Sequence, residues 1–420
     1  MAKRSKSFNR FSFITICVAA LPIQSNQSTP PRVWFRYSSK NSYSIAALLP
    51  LVEADLAPGP QDGIMLYSFA TAQADEVYAE VDRARAGGAI QAIYIAGGPH
   101  ASALPQEVLQ HFDFAVIGEG EETLPELLRA IEEGGDPALV RGIAFRRQVQ
   151  GQVEGQQEEI VITGKRPPVD LDRFPPFSSI LAPLEISRGC PWGCLYCATP
   201  RLFGSCMRHR SISVIERFAR RHRDIRFTSP NSLAYGSDGR QPRLEKVEAL
   251  LRALSQQDKP IYFGTFPSEV RPEFVTEEAL QIITRYCAND SLSLGGQSGS
   301  PAVLKRIGRG HGREEIESAC ELCRDFGLAP QVDLIFGLPG ESEEEQLQTI
   351  DLARWITGQS VGGRVRAHLF TPLPGTPLAE MPQAPLSHKV QACLGRLALE
   401  GRLTGSWRAA ARGRDGERGE

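Results

Sequence analysis

Three cysteines lie within eight residues of this chain, in the run Cys190-Pro191-Trp192-Gly193-Cys194-Leu195-Tyr196-Cys197, a C-x3-C-x2-C spacing. Thiolates are soft ligands that suit iron–sulfur clusters and zinc. Three of them on one tight loop can hold three irons of a 4Fe-4S cluster and leave the fourth iron without a protein ligand. An iron with an open position can take a substrate or a cofactor. A structural zinc asks for a fourth Cys or His, and His209 is the nearby candidate. A loop of buried thiols is the third reading. Disulfides are a poor one, because 9 cysteines in 420 residues do not make a stapled scaffold.

Such a loop needs a rigid support. Leu184 to Gly189 reads as a strand running straight into the first cysteine. Five more strand candidates follow near 225–229, 261–266, 291–295, 331–337 and 365–371, with helices near 212–222, 244–256, 276–286, 313–326 and 343–357 in the gaps. Each strand but the last is followed by a helix, which fits an α/β class and a partial (βα)6 TIM-type barrel over 183–400. Active sites of such barrels lie at the C-terminal strand ends. Besides the cysteines, three runs fall at those ends: Ser291 to Ser300, Val332 to Glu341 and Thr371 to Pro377.

Tyr196 puts an aromatic ring just before the last cysteine. With it, the four runs in this order resemble the radical S-adenosylmethionine (radical SAM) family, whose signature is CxxxCxφC with φ aromatic. The resemblance implies that Cys190, Cys194 and Cys197 ligate a 4Fe-4S cluster and that S-adenosylmethionine chelates the open iron. One electron, from a donor such as flavodoxin or ferredoxin, then yields a 5′-deoxyadenosyl radical that abstracts a hydrogen from an unknown substrate. The protein supplies positioning and electrostatics. By the same resemblance, S-adenosylmethionine contacts fall to Tyr196, to Ser229 and Asn231 after the second strand, to Gln297, Ser298 and Ser300 after the fourth, and to Gly337 after the fifth. No catalytic group is assigned beyond the cluster ligands. Two positions depart from the family. Ser229-Pro230-Asn231-Ser232 stands where Gly-Gly-Glu-Pro is frequent, and Gln297 stands where many relatives have Glu. Read as residues alone, the first is an Asn-containing turn, and Gly337 belongs to a strand-to-helix turn. Glu269 and Arg271 are either cofactor or substrate contacts or a surface ion pair. Cys320 and Cys323 lie on a helical segment, where packing is the simpler role. His100 and His311 have no evident partners and read as structural or solvent-facing.

Residues 32–140 alternate strand and helix: strands at 32–37, 63–69, 92–96 and 114–117, helices at 42–54, 74–85 and 123–131. Continuous apolar strands joined by helices argue for a Rossmann-like, doubly wound parallel sheet, whose ligands bind beyond the carboxyl ends of the strands. Gly97-Gly98-Pro99-His100 and Gly118-Glu119-Gly120-Glu121 lie there, and with Ser68 they resemble the cobalamin-binding domain that precedes many radical SAM cores. The resemblance assigns Ser68, Gly97, Gly98, Gly118 and Gly120 to a cobalamin. The D-x-H-x-x-G motif that supplies an axial histidine is absent, since the loop after the first strand is Ser38-Ser39-Lys40-Asn41-Ser42. Any cobalamin would then lack a histidine ligand from that site. A domain that has lost cobalamin is the competing reading.

Residues 141–182, punctuated by Pro167-Pro168 and Pro175-Pro176, read as a connector. Residues 1–31 form an extension of unclear role: basic residues before the apolar run Phe11 to Leu21 resemble a short signal peptide, but that run is too short to span a bilayer. Residues 401–420, rich in Arg, Gly and Glu, read as a disordered tail. A net charge of −2 gives no global basic field, so neither nucleic acid nor an anionic membrane is indicated. Few and clustered cysteines fit a cytoplasmic protein. The functional expectation is a cobalamin-dependent radical SAM methyltransferase acting on an unactivated carbon. The alternatives are a cobalamin-independent rearrangement or methylthiotransferase-like enzyme, and a non-catalytic cobalamin or cluster sensor.

Overall fold

The computed structural model describes residues 31–150 and 156–407. The apolar run of the N-terminal extension and the chain beyond 407 lie outside the described residues. β1 (Val33–Arg36), β2 (Asp55–Ala57), β3 (Gly63–Ser68), β4 (Ala92–Gly97), β5 (Phe114–Val116), β6 (Ile143–Gln150) and β7 (Gln156–Ile162) make one sheet in the order β2-β1-β3-β4-β5-β6-β7. The first five are parallel, and β6 and β7 add an antiparallel hairpin. Successive side chains of a strand face opposite sides. Ile64 and Leu66 therefore join one core with Phe35 and Leu127, while Met65 and Tyr67 join a second core with Tyr94 and Phe112. Both faces are covered, as a doubly wound sheet requires.

The hairpin corrects the expected connector, since residues 143–150 and 156–162 belong to the N-terminal sheet. The signal was weak because β7 leaves Ile160 and Ile162 exposed and pairs charged residues in register, Arg147 opposite Glu159.

The second domain starts at β8 (Leu184–Glu185). β9 (Ser187–Arg188) pairs antiparallel with β10 (Arg208–His209) at the mouth. β8, β11 (Ile225–Thr228) and β12 (Ile261–Tyr262) are parallel neighbours. A bridge from Val270 to Leu294 and a bond from Ser293 N to Gly264 O (2.8 Å) carry the order on to β13 (Ser291–Gln297). β14 (Ala329–Phe336), β15 (Arg364–Leu369) and β16 (Leu403–Thr404) follow. The strands stand in chain order, as in a partial (βα)6 barrel. The last expected strand is also followed by a helix, His388–Leu399, capped by Ser387. β16 then pairs with β15, so residues 401–407 are an edge of the barrel rather than tail. A large core fills this domain, with Cys320 and Cys323 fully buried in it, and a smaller cluster of Val303, Ile307, Leu338 and Phe370 lies apart.

Candidate active site

The cysteine loop leaves β9 through Gly189, which has φ +88 and no room for a side chain: a Cβ there would lie 2.2 Å from the Cys206 carbonyl oxygen. Leu195 N donates to Ile307 O at 3.0 Å, and Cys190 N to Gly204 O at 3.1 Å. Trp192 wedges the loop against the barrel. Its Nε1 donates to Gly239 O at 2.9 Å, and the Arg271 guanidinium lies 3.9 Å over its ring. Arg271 is buried and pairs with Glu273, so it is not part of a surface ion pair. Burial pushes the Cys190 thiol up, and the neighbouring Cys197 and Cys194 add to this. Such mutual repulsion is what a cluster relieves, because it takes the thiols as thiolates. His209 is not available as a fourth zinc ligand: Nδ1 bonds Ser187 Oγ at 2.8 Å and Nε2 bonds Ser237 O at 2.7 Å. Among the described residues, no three Cys, His, Asp or Glu side chains are gathered to hold a single metal ion. The donor set fits a cluster, with one iron per thiol.

Arg309 runs from the loop into the barrel. Its Nη1 lies 3.8 Å from Cys194 Sγ and its Nη2 donates to Gly295 O at 2.6 Å. Burial works against this charge, but Tyr196, Cys194 and Glu269 outweigh it and raise the pKa. Arg309 Nη2, Gln297 Nε2 and Glu269 Oε2 all lie within 3.0 Å of where a Gly295 Cβ would be, so they converge at the end of β13. Burial, then Asp333, pushes Glu269 up to about 7. Asp333 itself is held below its usual range: burial opposes this, but hydrogen bonds from His368, Glu269 and Arg366 prevail. Arg366 grips it through two nitrogens at 2.5 and 2.6 Å. The proton of the pair therefore sits on Glu269.

The residues assigned to S-adenosylmethionine divide into two groups. Asn231, Gln297 and Tyr196 are free to meet a ligand. Asn231 Nδ2 is buried without a partner, as are Ser293 Oγ and Arg309 Nε. Orphaned buried donors are rare in folded proteins, and these fit the carboxylate and hydroxyl oxygens of such a ligand. Gln297 sits in the left-handed region at φ +74, where a non-glycine residue stores strain. Ser229, Ser298, Ser300 and Gly337 serve the local structure. Ser229 Oγ accepts from Asn231 N, Ser298 bonds Thr349, and Ser300 caps the helix Pro301–Arg306. Gly337 N donates to Glu341 Oε2 at 2.7 Å.

All five residues assigned to cobalamin, Ser68, Gly97, Gly98, Gly118 and Gly120, line one largely apolar cavity of about 290 Å³ beside the helices Ser42–Leu48 and Gly120–Glu132. A Cβ on Gly120 would lie 3.3 Å from Leu48, and one on Gly98 2.9 Å from Phe69 O. Ser102 ties the two glycine turns together, donating to Gly98 O at 2.9 Å and accepting from Gly118 N at 3.0 Å. A second cavity of about 820 Å³ shares Pro99, Ser102, Gly118 and Glu119 with the first and extends to Tyr196 and Cys197. The second chamber thus connects the glycine turns of the N-terminal sheet to the cysteine loop.

A clasp of charges joins the domains here. The Glu119 side chain, 7% exposed, meets Arg188 Nη1 at 3.3 Å, Arg208 Nη1 at 3.1 Å and the Val169 amide at 2.8 Å. Glu121 meets Arg188 Nη1 at 2.7 Å, and Glu185 takes the other side of that guanidinium at 2.7 and 2.8 Å. The sequence marked this loop for its glycines. Its acids were missed because the partners lie far along the chain.

Residues 184–353 match the family model of the radical SAM superfamily, and residues 59–128 match that of the B12 binding domain. Two family models thus meet in one chain, a B12 binding domain ahead of a radical SAM domain. It is 24% identical over 330 residues to the bacteriochlorophyllide d C-12(1)-methyltransferase of Chlorobaculum tepidum, covering 76% of this chain and 67% of that one. It is 28% identical over 250 residues to the tRNA-2-methylthio-N(6)-dimethylallyladenosine synthase of Pelobacter propionicus, covering 56% and 54%. Between 54% and 62% of the length of the first curated relatives is spanned. The fold is shared with the radical S-adenosylmethionine methyltransferase TsrM of Kitasatospora setae, solved with cobalamin and a 4Fe-4S cluster bound: TM-score 0.60, 16% identity, 84% of this chain and 74% of that one. No helix among the described residues is long and apolar enough to cross a membrane.

Proposed function

We propose that this protein is a cobalamin-dependent radical SAM enzyme that transfers a methyl group to an unactivated carbon. The observation that carries the reading is the 820 Å³ cavity walled by the N-terminal strand ends on one side and by Tyr196 and Cys197 on the other. When bound, the cluster with S-adenosylmethionine supplies a 5′-deoxyadenosyl radical and cobalamin supplies a methyl carrier. Cys190, Cys194 and Cys197 hold the cluster, and Arg309 balances the thiolate charge at Cys194. Asn231, Ser293 and Gln297 offer polar contacts to S-adenosylmethionine. Glu269, carrying the proton of its pair with Asp333, donates a hydrogen bond inside the barrel. The clasp at Glu119 keeps the two cofactor sites in register. The electron comes from a flavodoxin or ferredoxin in a reducing, cytoplasmic setting.

The methylthiotransferase reading draws on relatives of that name, and such enzymes carry extra cluster cysteines in their N-terminal domain. From residue 31 to Gly189 this chain has no cysteine. The test is anaerobic reconstitution with iron and sulfide, followed by reduction with S-adenosylmethionine and assay of 5′-deoxyadenosine. Wild type should form it and Cys194→Ala should not. A wild type that holds a cluster yet makes none would sink the enzyme reading in favour of a sensor.

A further inference from the structure

His100, which reads in the sequence as a lone histidine, is buried in a hydrogen-bonded chain that the proposed function does not use. Nε2 lies 2.8 Å from Tyr78 Oη and 3.3 Å from Glu107 Oε1, and Tyr78 donates to the same carboxylate at 3.2 Å. Nδ1 lies 3.1 Å from Thr71 Oγ1. Glu107 is half exposed, whereas His100 is 2% exposed. Thr71 is on the wall of the 820 Å³ cavity. The chain thus runs from solvent, through a buried imidazole, to a threonine on the wall of the space between the two domains.

The polarity of this chain follows from its outer end. A carboxylate only accepts, so Tyr78 donates to Glu107 and His100 Nε2 carries the hydrogen that points at Tyr78 and Glu107. In the neutral imidazole the other nitrogen is then an acceptor, and Thr71 O–H donates to Nδ1. With this tautomer the hydroxyl hydrogen points inward. The lone pairs of Thr71 Oγ1 are left for the cavity, where the side chain has no protein partner among the hydrogen bonds of the described residues. A hydroxyl in a turn ordinarily rotates to suit its ligand. Here the buried histidine removes that choice, so the wall selects for a hydrogen-bond donor.

We propose that Thr71 is the acceptor this chain presents to an N–H donor of the molecule held in the cavity, a primary carboxamide on the rim of a corrin, and that His100 is its positioning residue. The assignment rests on the cobalamin reading above. Primary carboxamides are the N–H donors that such a macrocycle carries at its edge, and an acceptor whose own hydrogen is committed elsewhere suits them.

The experiment measures the Kd of hydroxocobalamin, by equilibrium dialysis and optical spectrum, for wild type, Thr71→Ser, Thr71→Val and His100→Gln. Iron content and thermal midpoint serve as controls for folding. Thr71→Ser should match wild type. Thr71→Val should bind roughly tenfold more weakly, the usual worth of one such hydrogen bond. His100→Gln should lose a similar factor, and the double variant Thr71→Val with His100→Gln should be no weaker than either single change, because the two act as one unit. The position of the visible band should be the same throughout. Thr71→Val is close in size and only partly buried, so it tests the assignment even if His100→Gln fails to fold. Equal affinity for Thr71→Val and wild type overturns the proposal. A band shift in Thr71→Val overturns the carboxamide assignment, since it would mean contact with an axial ligand of the metal. A wild type that retains no cobalamin overturns the functional reading itself, and this inference with it.

Discussion

Glycine marks the strand ends in both halves of the molecule, and it does opposite things there. Gly118, at the end of β5, has φ +82 and nothing within 4 Å of where a Cβ would stand. Gly189, leading into the cysteines, has φ +88 and meets the Cys206 carbonyl oxygen at 2.2 Å from that point. One glycine keeps space open and the other lets protein close on protein. Both kinds occur in the N-terminal turns, since Gly98 is tight against Phe69 O, so the open side of that domain lies at Gly118. The barrel end is shaped to hold a short loop rigid around a compact cluster. The difference teaches that a glycine-rich strand end is not by itself a binding motif, because what surrounds the missing Cβ decides its meaning.

The strongest way to break this comparison is to separate the two regions. Glu119→Ala removes a carboxylate shared by Arg188, Arg208 and the Val169 amide; Arg188 keeps Glu121 and Glu185, but the partly buried Arg208 guanidinium is left without a carboxylate. A loss of ~3–5 kcal/mol is expected, read as a lower midpoint in urea denaturation. Next comes Gly189→Ala, where left-handed backbone and steric overlap combine. It should cost about 3 kcal/mol and at least halve the iron retained after reconstitution. Gly118→Ala meets the left-handed strain alone, about 1–2 kcal/mol. Its iron content should stay at the wild-type level while cobalamin retention falls. If Gly118→Ala and Gly189→Ala lost iron equally, the contrast between open and closed glycines would be wrong.

The smallest expected effect is a slope with pH. Burial pushes Glu341 up to about 7, against the bonds it accepts from the Gly337 and Leu338 amides. A carboxyl whose folded pKa is raised keeps its proton in the native state while the unfolded chain has already lost it. Stability from this group is therefore fully present below about pH 4.5 and is lost as pH rises to about 7. Glu341→Gln should flatten that fall in denaturation midpoints taken across the window. Unchanged curves would place the Glu341 proton elsewhere.

Much of this was legible in the sequence because strands buried on both faces are continuous apolar runs ended by glycine. β3, β4, β13 and β14 lie within two residues of where the pattern puts them. β2 was hidden by its three-residue length, and the β6–β7 hairpin by its polar solvent face. β16 was hidden by the charged composition that follows it. At the site, spacing and resemblance could single out the cysteine loop and the glycines that line the smaller cavity. Arg309 could not, since its partners Cys194 and Gly295 are 115 and 14 residues away. His100 looked solitary for the same reason, as its partners lie 22 and 29 residues away. Ser298 and Ser300 matched a family pattern but bond Thr349 and cap a helix.

The central claim is that one interdomain cavity holds a cobalamin against the cluster loop. The most direct measurement is cofactor stoichiometry after anaerobic reconstitution with iron, sulfide and hydroxocobalamin and removal of unbound ligand. The account predicts one cobalamin and one four-iron cluster per chain. A protein that keeps its cluster and releases all cobalamin would contradict it and leave the N-terminal domain as a scaffold.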